Sequence, residues 1–191
     1  MPLLRMRDAT FDNGSARAGP ISLDLECGER AALTGSSAQT ASIVALLAAG
    51  IVKATSGCVL VGDYDPTVQS VACKRIAAFV PHEPFPLDEG EFARYIEYRA
   101  ALWNVERGQA RTRAALLRKR LTGMHEAFAY PLIGALIAMP KLLVLDRPQP
   151  GYAPRILDVT AGIALFSTHV EAAAAAAFAP GALAQIRASQ A

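Results

Sequence analysis

A segment rich in glycine and hydroxyl side chains stands where a predicted strand meets a predicted helix. It reads GSSAQTAS from Gly35 to Ser42, after the apolar strand Arg30–Thr34 and before an apolar helix expected over Gln39–Ala48. A loop of the form GxxxxGK[ST] binds phosphate at such a place. Its backbone N–H groups and the helix N-terminus face the anion, a lysine reaches the outer phosphates, and a hydroxyl binds magnesium. Gly35 and Ser42 fit the first and last positions of this form, which suggests phosphate binding.

The centre of the segment departs from that form, because Thr40 replaces the second glycine and Ala41 replaces the lysine. A turn with glycine and serine between a strand and a helix also occurs in α/β proteins that bind no phosphate, so a purely structural turn stays open. The candidate phosphate-binding positions are Gly35, Ser36, Ser37, Ala38, Gln39, Thr40, Ala41 and Ser42.

Two more polar residues follow predicted central strands. Lys141–Asp146 reads KLLVLD, an apolar run typical of a parallel strand that is covered on both faces, and Leu165–His169 reads LFSTH. Ligands of open α/β sheets bind at the carboxyl edge of the strands, so we expect Asp146 and His169 at the same edge as Ser42. Asp146 is equally compatible with a turn cap, and His169 with an exposed side chain at a helix start.

The elements that must position these residues alternate between strands and helices after a strand-rich beginning, which predicts an α/β fold with a parallel sheet. A Thr168–Glu171 capping box is expected to open a final helix, with His169 in its first turn. The other predicted strands are Leu3–Arg7, Ile21–Leu25, Cys58–Val61, Ile76–Val80, Leu142–Leu145 and Ile163–Ser167, and the other predicted helices are Phe92–Trp103 and Thr112–Arg120.

The order of these segments resembles that in the nucleotide-binding subunits of ABC transporters, and the resemblance covers almost the whole chain. Gly35–Ser42 occupies the place of the family's phosphate-binding loop, and Phe11 that of an aromatic residue stacked on adenine. Lys141–Asp146 is similar to the Walker B strand and Leu165–His169 to the switch-histidine segment. The resemblance thus implies residual catalytic roles for Asp146 and His169.

Two weaker matches complete the resemblance. Pro81-His82-Glu83 stands where the family has its Q-loop, with His82 in the glutamine position, which makes His82 a candidate nucleotide contact. The sequence LTGMH is similar to the LSGGQ signature, and its signature-like positions are Leu121, Thr122 and Gly123.

The resemblance implies a P-loop NTPase-like ABC ATPase core with a small antiparallel β subdomain and a reduced helical subdomain at about residues 85–130, all within one domain over residues 1–191. It also implies ATP and Mg²⁺ as cofactors, with Ser42 and Asp146 as magnesium ligands. The implied partner is a membrane permease subunit, a second ABC ATPase subunit or both, which places the chain in the cytoplasm, peripheral to the inner face of the cell membrane.

Several departures from the family pattern weaken the expected chemistry. Ala41 occupies the position of the loop lysine, and Arg147 occupies the position of the family's catalytic carboxylate. A permanently protonated guanidinium cannot act as a base there. Met124 replaces the second signature glycine, and Pro131 is expected to interrupt the helix that follows. The C-terminal half is also shorter than the family usually has. We therefore expect binding of ATP and Mg²⁺, and ATP hydrolysis, to be weak or absent.

Composition narrows the class of protein. The 191 residues carry a net charge of +2 and are 52% hydrophobic, with no apolar run of the roughly 18 residues that a membrane helix needs. The three cysteines show no CxxC spacing, which favours reduced thiols. Because no basic stripe with interleaved aromatic residues occurs, we do not expect nucleic acid as a partner.

Three functions remain open from the sequence. The first is a degenerate ATP-binding subunit beside a permease or an intact ATPase, and the second is a weakly active ATPase. The third is a structural or regulatory module that binds protein and no nucleotide. The aromatic-rich segment Phe92–Trp103 is a candidate partner surface, with an ordinary core-facing helix as the alternative.

Overall fold

The computed structural model of this chain describes residues 1–35, 37–179 and 183–184. Strands and helices alternate through most of it, as predicted. The strands are β1 Leu4–Asp12, β2 Arg17–Leu25, β3 Arg30–Thr34, β4 Ser56–Val61, β5 Ala77–Val80, β6 Leu142–Asp146, β7 Ala164–His169 and β8 Leu183–Ala184. The helices are α1 Ala38–Ala48, α2 Ser70–Ile76, α3 Glu89–Leu102, α4 Arg107–Arg120, α5 Glu126–Leu136, α6 Ala153–Val159 and α7 Ala172–Phe178, with a short 3-10 helix at Pro150–Tyr152.

The N-terminal strands form a small antiparallel sheet in the order β2-β1-β4. The turn between β1 and β2 is stabilised by side chains, because Asp12 accepts a hydrogen bond from the N–H of Gly14 and Asn13 accepts from those of Ser15 and Ala16. Such local bonds are the reason why Asp, Asn and Gly mark turns. These bonds therefore hold the turn that joins β1 to β2.

The remaining strands form a five-stranded sheet in the order β5-β6-β7-β3-β8, and every pairing in it is parallel. All five residues of β6 are buried, as expected of a strand covered on both faces. The register pairs Asp146 with Thr168, and Thr34 with His169, at the carboxyl edge. The sheet thus brings its polar strand ends together at one edge.

Residues along β6 alternate between two apolar clusters, one on each face of the sheet. Leu142 and Val144 belong to the cluster that contains the buried face of α1, whereas Leu143 and Leu145 belong to the cluster that contains α5, α6 and α7. This alternation decides on which face each polar residue at the edge lies.

Helices α3, α4 and α5 contact one another and form a group at one side of the parallel sheet. Helix α3 begins at a complete capping box between Asp88 and Glu91. The prediction that Pro131 interrupts the following helix is wrong, because α5 runs through it. Proline removes the donor for the carbonyl four residues earlier, and that carbonyl, of Ala127, accepts the backbone N–H of Phe85 at 2.8 Å instead.

The end of β7 also differs from the prediction. The strand continues through His169, and α7 begins at Ala172 after Glu171, whose side chain makes no capping hydrogen bond. The capping box and the helical placement of His169 are therefore wrong, because pairing with β3 extends β7 by the two residues that the local pattern assigned to the helix. Among the described residues, no helix has the length and apolar content that a bilayer crossing requires.

Candidate functional site

The turn from β3 to α1 depends on the absence of a side chain at Gly35. A Cβ atom there would lie 2.8 Å from the backbone nitrogen of Ala41 and 3.0 Å from its Cα. The N–H of Gly35 donates to the carbonyl oxygen of His169 at 2.8 Å. The glycine thus allows the first turn of α1 to pack directly on the end of β3.

The N-terminus of α1 is closed by its own cap. The Ser37 hydroxyl accepts the N–H of Thr40 at 3.1 Å, and the Ser37 carbonyl accepts the N–H of Ala41 at 3.0 Å. These two donors lie at the central positions of the phosphate-loop pattern. Ser37, Ala38 and Gln39 are exposed and Ala41 is fully buried, while Ser36 lies outside the described residues. The helix cap therefore uses two of the N–H groups expected to face phosphate.

Ser42, on α1, and Asp146, at the end of β6, meet across 104 positions of sequence. The Ser42 hydroxyl donates to Oδ2 of Asp146 at 2.8 Å. The hydroxyl of Thr168, the β7 residue paired with Asp146, donates to Oδ1 at 3.4 Å. All three side chains lie on the face of the sheet that α1 covers, and Asp146 is only 5% exposed.

Arg147 turns its side chain back onto this carboxylate. Its Nε donates to Oδ1 of Asp146 at 3.1 Å, and its side chain is 18% exposed. Its backbone has a φ of 45°, a left-handed conformation that is unusual outside glycine. The N–H donates to the Thr168 carbonyl at 3.0 Å. The carbonyl lies 3.0 Å from Nδ1 of His82, so this nitrogen must carry the proton.

His169 lies on the opposite face of the sheet from Ser42 and Asp146. Its side chain is buried, with its ring centroid 5.1 Å from that of Phe178 and its Nε2 3.0 Å from the Ser167 hydroxyl. Burial lowers the pKa of His169 to about 4, because the imidazolium form would lose its hydration. The structure therefore gives His169 the surroundings of a neutral core residue and does not bring its ring to the Asp146 carboxylate.

Phe11 lies in β1, opposite Ala18 in β2. Its ring is partly buried and packs against the apolar cluster shared by the antiparallel sheet and α1. A partly buried ring on this sheet can present one face to a ligand, so the position is compatible with base stacking.

The signature-like residues form the turn between α4 and α5. Leu121 is buried, and Gly123 has a φ of 86°, which favours glycine. Arg155, on α6, donates to the Thr122 carbonyl at 2.8 Å, and its guanidinium would lie 2.8 Å from a Cβ atom at Gly123. The N–H of His125 donates to the Tyr152 hydroxyl at 3.3 Å. Side chains of the same chain thus hold this turn against the α6 region.

A cavity of about 30 Å³ lies beside Arg147, and His82, Met124 and Tyr152 contribute to its lining. Space of that size holds about one water molecule. The cavity is therefore too small for a nucleotide.

Several known proteins are similar to this chain, although no protein-family model matches it. A sulfate/thiosulfate import ATP-binding protein CysA of Xylella fastidiosa (strain 9a5c) is 29% identical over 153 residues, which cover 72% of this chain and 44% of that protein. CysA of Xanthomonas campestris pv. campestris is 29% identical over 143 residues, covering 67% and 42%. The chain spans less than half the length of these curated relatives.

Several solved structures are also similar to this chain. The structure of an ATP-binding subunit of an ABC transporter superposes with a TM-score of 0.76 at 15% identity, covering 93% of this chain and 83% of the other. The chain has the ABC ATPase fold. Its homologues are ABC transporter ATP-binding subunits. CbiO1 of Clostridium perfringens, part of the ABC transporter complex cbiONQ, gives a TM-score of 0.67 at 16% identity, covering 89% and 79%.

Against this family, the predicted site residues divide into two sets. Ser42 and Asp146, predicted at the end of the phosphate-binding loop and at the end of the Walker B strand, lie within hydrogen-bond distance of each other, and His82 reaches the same strand end through Arg147. His169 stays on the other face of the sheet.

The oxygen donors at Ser42 and Asp146 do not fit Mg²⁺ in this structure. Magnesium takes octahedral oxygen ligands, usually from one or two carboxylates together with phosphates and water. The carboxylate available here, Asp146, is already paired with Arg147 and bonded to Ser42. The described residues contain no group of three or more His, Cys, Asp or Glu side chains that could hold a metal.

Two features of the site were missed from the sequence. Thr168 contacts Asp146, and the parallel pairing of two strands that end in polar residues was a signal for this contact. The contacts of Arg155 and Tyr152 with the signature-like turn had no local signal, because they join segments about 30 positions apart.

Proposed function

We propose that this chain is a degenerate ATP-binding subunit of an ABC transporter, which binds nucleotide weakly or not at all and does not hydrolyse ATP by itself. The observation that carries the proposal is the Asp146–Arg147 pair at the end of the Walker B strand. An intact site needs a base or water-positioning group near this point. A guanidinium has only donors and stays protonated, so it cannot fill that role.

The loop side of the site supports the same conclusion. Ala41 is fully buried and has no side-chain donor for a phosphate. Losing one charge-assisted contact removes about 1.5–3 kcal/mol of binding free energy. The N–H of Ala41 itself already bonds within the cap of α1. Both the charge and part of the backbone cradle are therefore missing for a triphosphate.

The signature-like turn supports a defect in the partner's site as well. In the family, a signature segment completes the nucleotide site of the facing subunit. Here Met124 replaces a glycine, and Arg155 covers Gly123 and bonds the neighbouring carbonyl. A productive ATP-driven homodimer is therefore not part of this proposal.

Calorimetric titration with ATP and with ADP tests the proposed weakness of binding. We expect either no heat or a dissociation constant weaker than about 0.1 mM, which corresponds to roughly 5.5 kcal/mol of binding free energy. Phe11→Ala should weaken any measured signal, since Phe11 is the proposed adenine contact. Sub-micromolar binding by the wild type would contradict the proposal.

A module that binds no nucleotide is the second candidate, and the cap of α1 favours it. The bonds of Ser37 to Thr40 and Ala41, and those of Asp146 to Ser42 and Arg147, satisfy this edge without a ligand. Heat at millimolar nucleotide in the same titration would exclude this second candidate, whereas the absence of heat agrees with both.

We also propose a membrane permease or an intact ATPase as the partner, with the chain in the cytoplasm at the inner face of the membrane. CbiO1, whose fold is similar, is part of a transporter complex. A groove of about 530 Å³ lies between α2, β5 and the end of α3, and its lining includes Leu102, Trp103, Arg75 and Arg99. It combines exposed apolar and basic side chains, a composition that suits a protein partner.

This groove refines the surface expected at Phe92–Trp103. Phe92 is buried, with its ring 3.9 Å from that of Tyr130, whereas Tyr98 is 61% exposed and Leu102 is 57% exposed. The exposed large apolar side chains of α3 therefore lie in its C-terminal half, and Leu102 is the one that lines the groove. Leu102→Glu should reduce co-purification with membrane proteins from the native host, and Leu116→Glu, an equally exposed leucine on α4, should not. Recovery of a wild-type monomer without membrane association would contradict this part of the proposal.

A further inference from the structure

We infer that Arg147 takes the place of the divalent cation at Asp146, so that this chain binds no Mg²⁺ at its Walker positions. The inference deepens the proposed function and rests on it, because the edge concerned is the proposed nucleotide site. It gives a specific physical reason for the loss of activity: a side chain of the protein neutralises the carboxylate that should hold the metal.

The carboxylate of Asp146 has little capacity left for a metal. Oδ2 accepts from Ser42 at 2.8 Å, and Oδ1 accepts from Arg147 at 3.1 Å and from Thr168 at 3.4 Å. An ionised carboxylate offers about four lone-pair sites, of which these donors use three. With Asp146 only 5% exposed, a metal would have to displace a charge-assisted bond in order to reach it.

Arg147 is held where it excludes the ion. Its N–H and its carbonyl are bonded to Thr168 and His82, so its position after β6 is fixed at both ends of the residue. Its guanidinium stays charged at any physiological pH. A divalent ion on Asp146 would lie within a few ångströms of this charge, in a largely buried place where water screens repulsion poorly.

The described part of the chain has no other group of side chains beside Asp146 that could bind the metal in its place. Mg²⁺ binds through carboxylates and other oxygen ligands, and no cluster of acidic, histidine or cysteine side chains that could hold a metal occurs there. The hydroxyl of Ser42, the other expected ligand, donates to Asp146 itself. The polar side chains at this edge therefore bond to one another, and Arg147 supplies the positive charge beside Asp146.

The test is a titration with Mn²⁺ in the absence of nucleotide, in which electron paramagnetic resonance measures the free ion. The wild type, Arg147→Gln and Arg147→Met are compared. The control is Arg94→Gln, which removes the same charge from the exposed face of α3. We expect no wild-type or Arg94→Gln binding up to about 1 mM Mn²⁺. At least one Arg147 variant should bind one ion at least about tenfold more tightly, because a like charge beside the site is gone.

The gained site should disappear when Asp146→Asn is added to the Arg147 variant. One Mn²⁺ bound by the wild type and lost in Asp146→Asn would overturn the inference, and so would folded Arg147 variants that gain no site. The wild-type measurement decides even if neither variant folds, as judged by circular dichroism. Because no nucleotide is present, the result is independent of the ATP titration, which alone tests whether the chain binds nucleotide.

Discussion

The buried imidazole of His169 makes the stability of this chain depend on pH in a defined direction. Its pKa is about 4 in the folded chain, against 6.5 for an ordinary histidine, because burial disfavours the charged ring. Between these values the unfolded chain binds a proton that the folded chain does not. Stability is therefore unaffected by this group above about pH 6.5, and falls as the pH decreases towards 4.

The size of the effect follows from the two pKa values. The full difference corresponds to about 3 kcal/mol, and roughly 2 kcal/mol of it is lost between about pH 8 and about pH 5. Replacing His169 with glutamine removes the titrating group and keeps a polar partner for the hydroxyl of Ser167. The variant is expected to be less stable at high pH, because the ring packs on Phe178.

Urea unfolding of the wild type and of His169→Gln at both pH values measures this dependence. We expect the wild type to lose about 2 kcal/mol more than the variant on acidification. His125→Asn is the control, since asparagine is also a good N-cap residue for α5 and His169 stays in place, so this variant should keep the wild-type loss. Equal losses in the wild type and His169→Gln would refute the assignment of a neutral, buried imidazole.

Two further predictions concern packing. Gly35→Ala should lower the free energy of unfolding by about 1–3 kcal/mol, because the new methyl group would clash with the backbone of Ala41. The control is Gly90→Ala on α3, where a methyl group makes only ordinary contacts, so this variant should be neutral or stabilising. Urea unfolding of both variants measures the difference. Arg118→Met should destabilise by about 1 kcal/mol more than Arg111→Met in the same assay, because Arg118 pairs with two carboxylates and lies over two aromatic rings, while Arg111 pairs with one. Equal losses for both members of either pair would contradict the packing on which it rests.

The central strands could be predicted because a strand that is buried on both faces needs a continuous run of apolar residues. β3 has the predicted bounds Arg30–Thr34, and β6 extends the predicted Leu142–Leu145 by one residue. The short helices α2 and α6 were missed, because seven residues carry too little periodicity to distinguish a helix from a loop.

Where local and tertiary signals conflict, the tertiary contact decides. Pro131 ends a helix by local rules, yet α5 continues because Phe85 supplies a donor to the carbonyl that the proline leaves unpaired. The pattern Thr168–Glu171 predicts a helix cap, yet pairing with β3 keeps His169 in a strand. Neither contact can be found from the segment alone, since its partner is remote in sequence.

The sequence predicted which residues form the site better than it predicted the hydrogen bonds between them. The motif order placed Ser42 and Asp146 together at the edge of the sheet, and the structure has them in hydrogen-bond contact. The resemblance predicted Arg147 at the position of the family's catalytic carboxylate, but it did not predict the bond from Arg147 back to Asp146. Arg147 also has a left-handed backbone, a conformation that sequence patterns do not reveal for a residue other than glycine.

The central claim, that the Asp146–Arg147 pair leaves this ABC ATPase fold without ATP turnover, is tested most directly by phosphate release from Mg-ATP. The wild type and Asp146→Asn should be measured side by side with a sensitive continuous assay. We expect both proteins to release phosphate at the rate of the buffer alone. Steady turnover by the wild type that Asp146→Asn abolishes would contradict it.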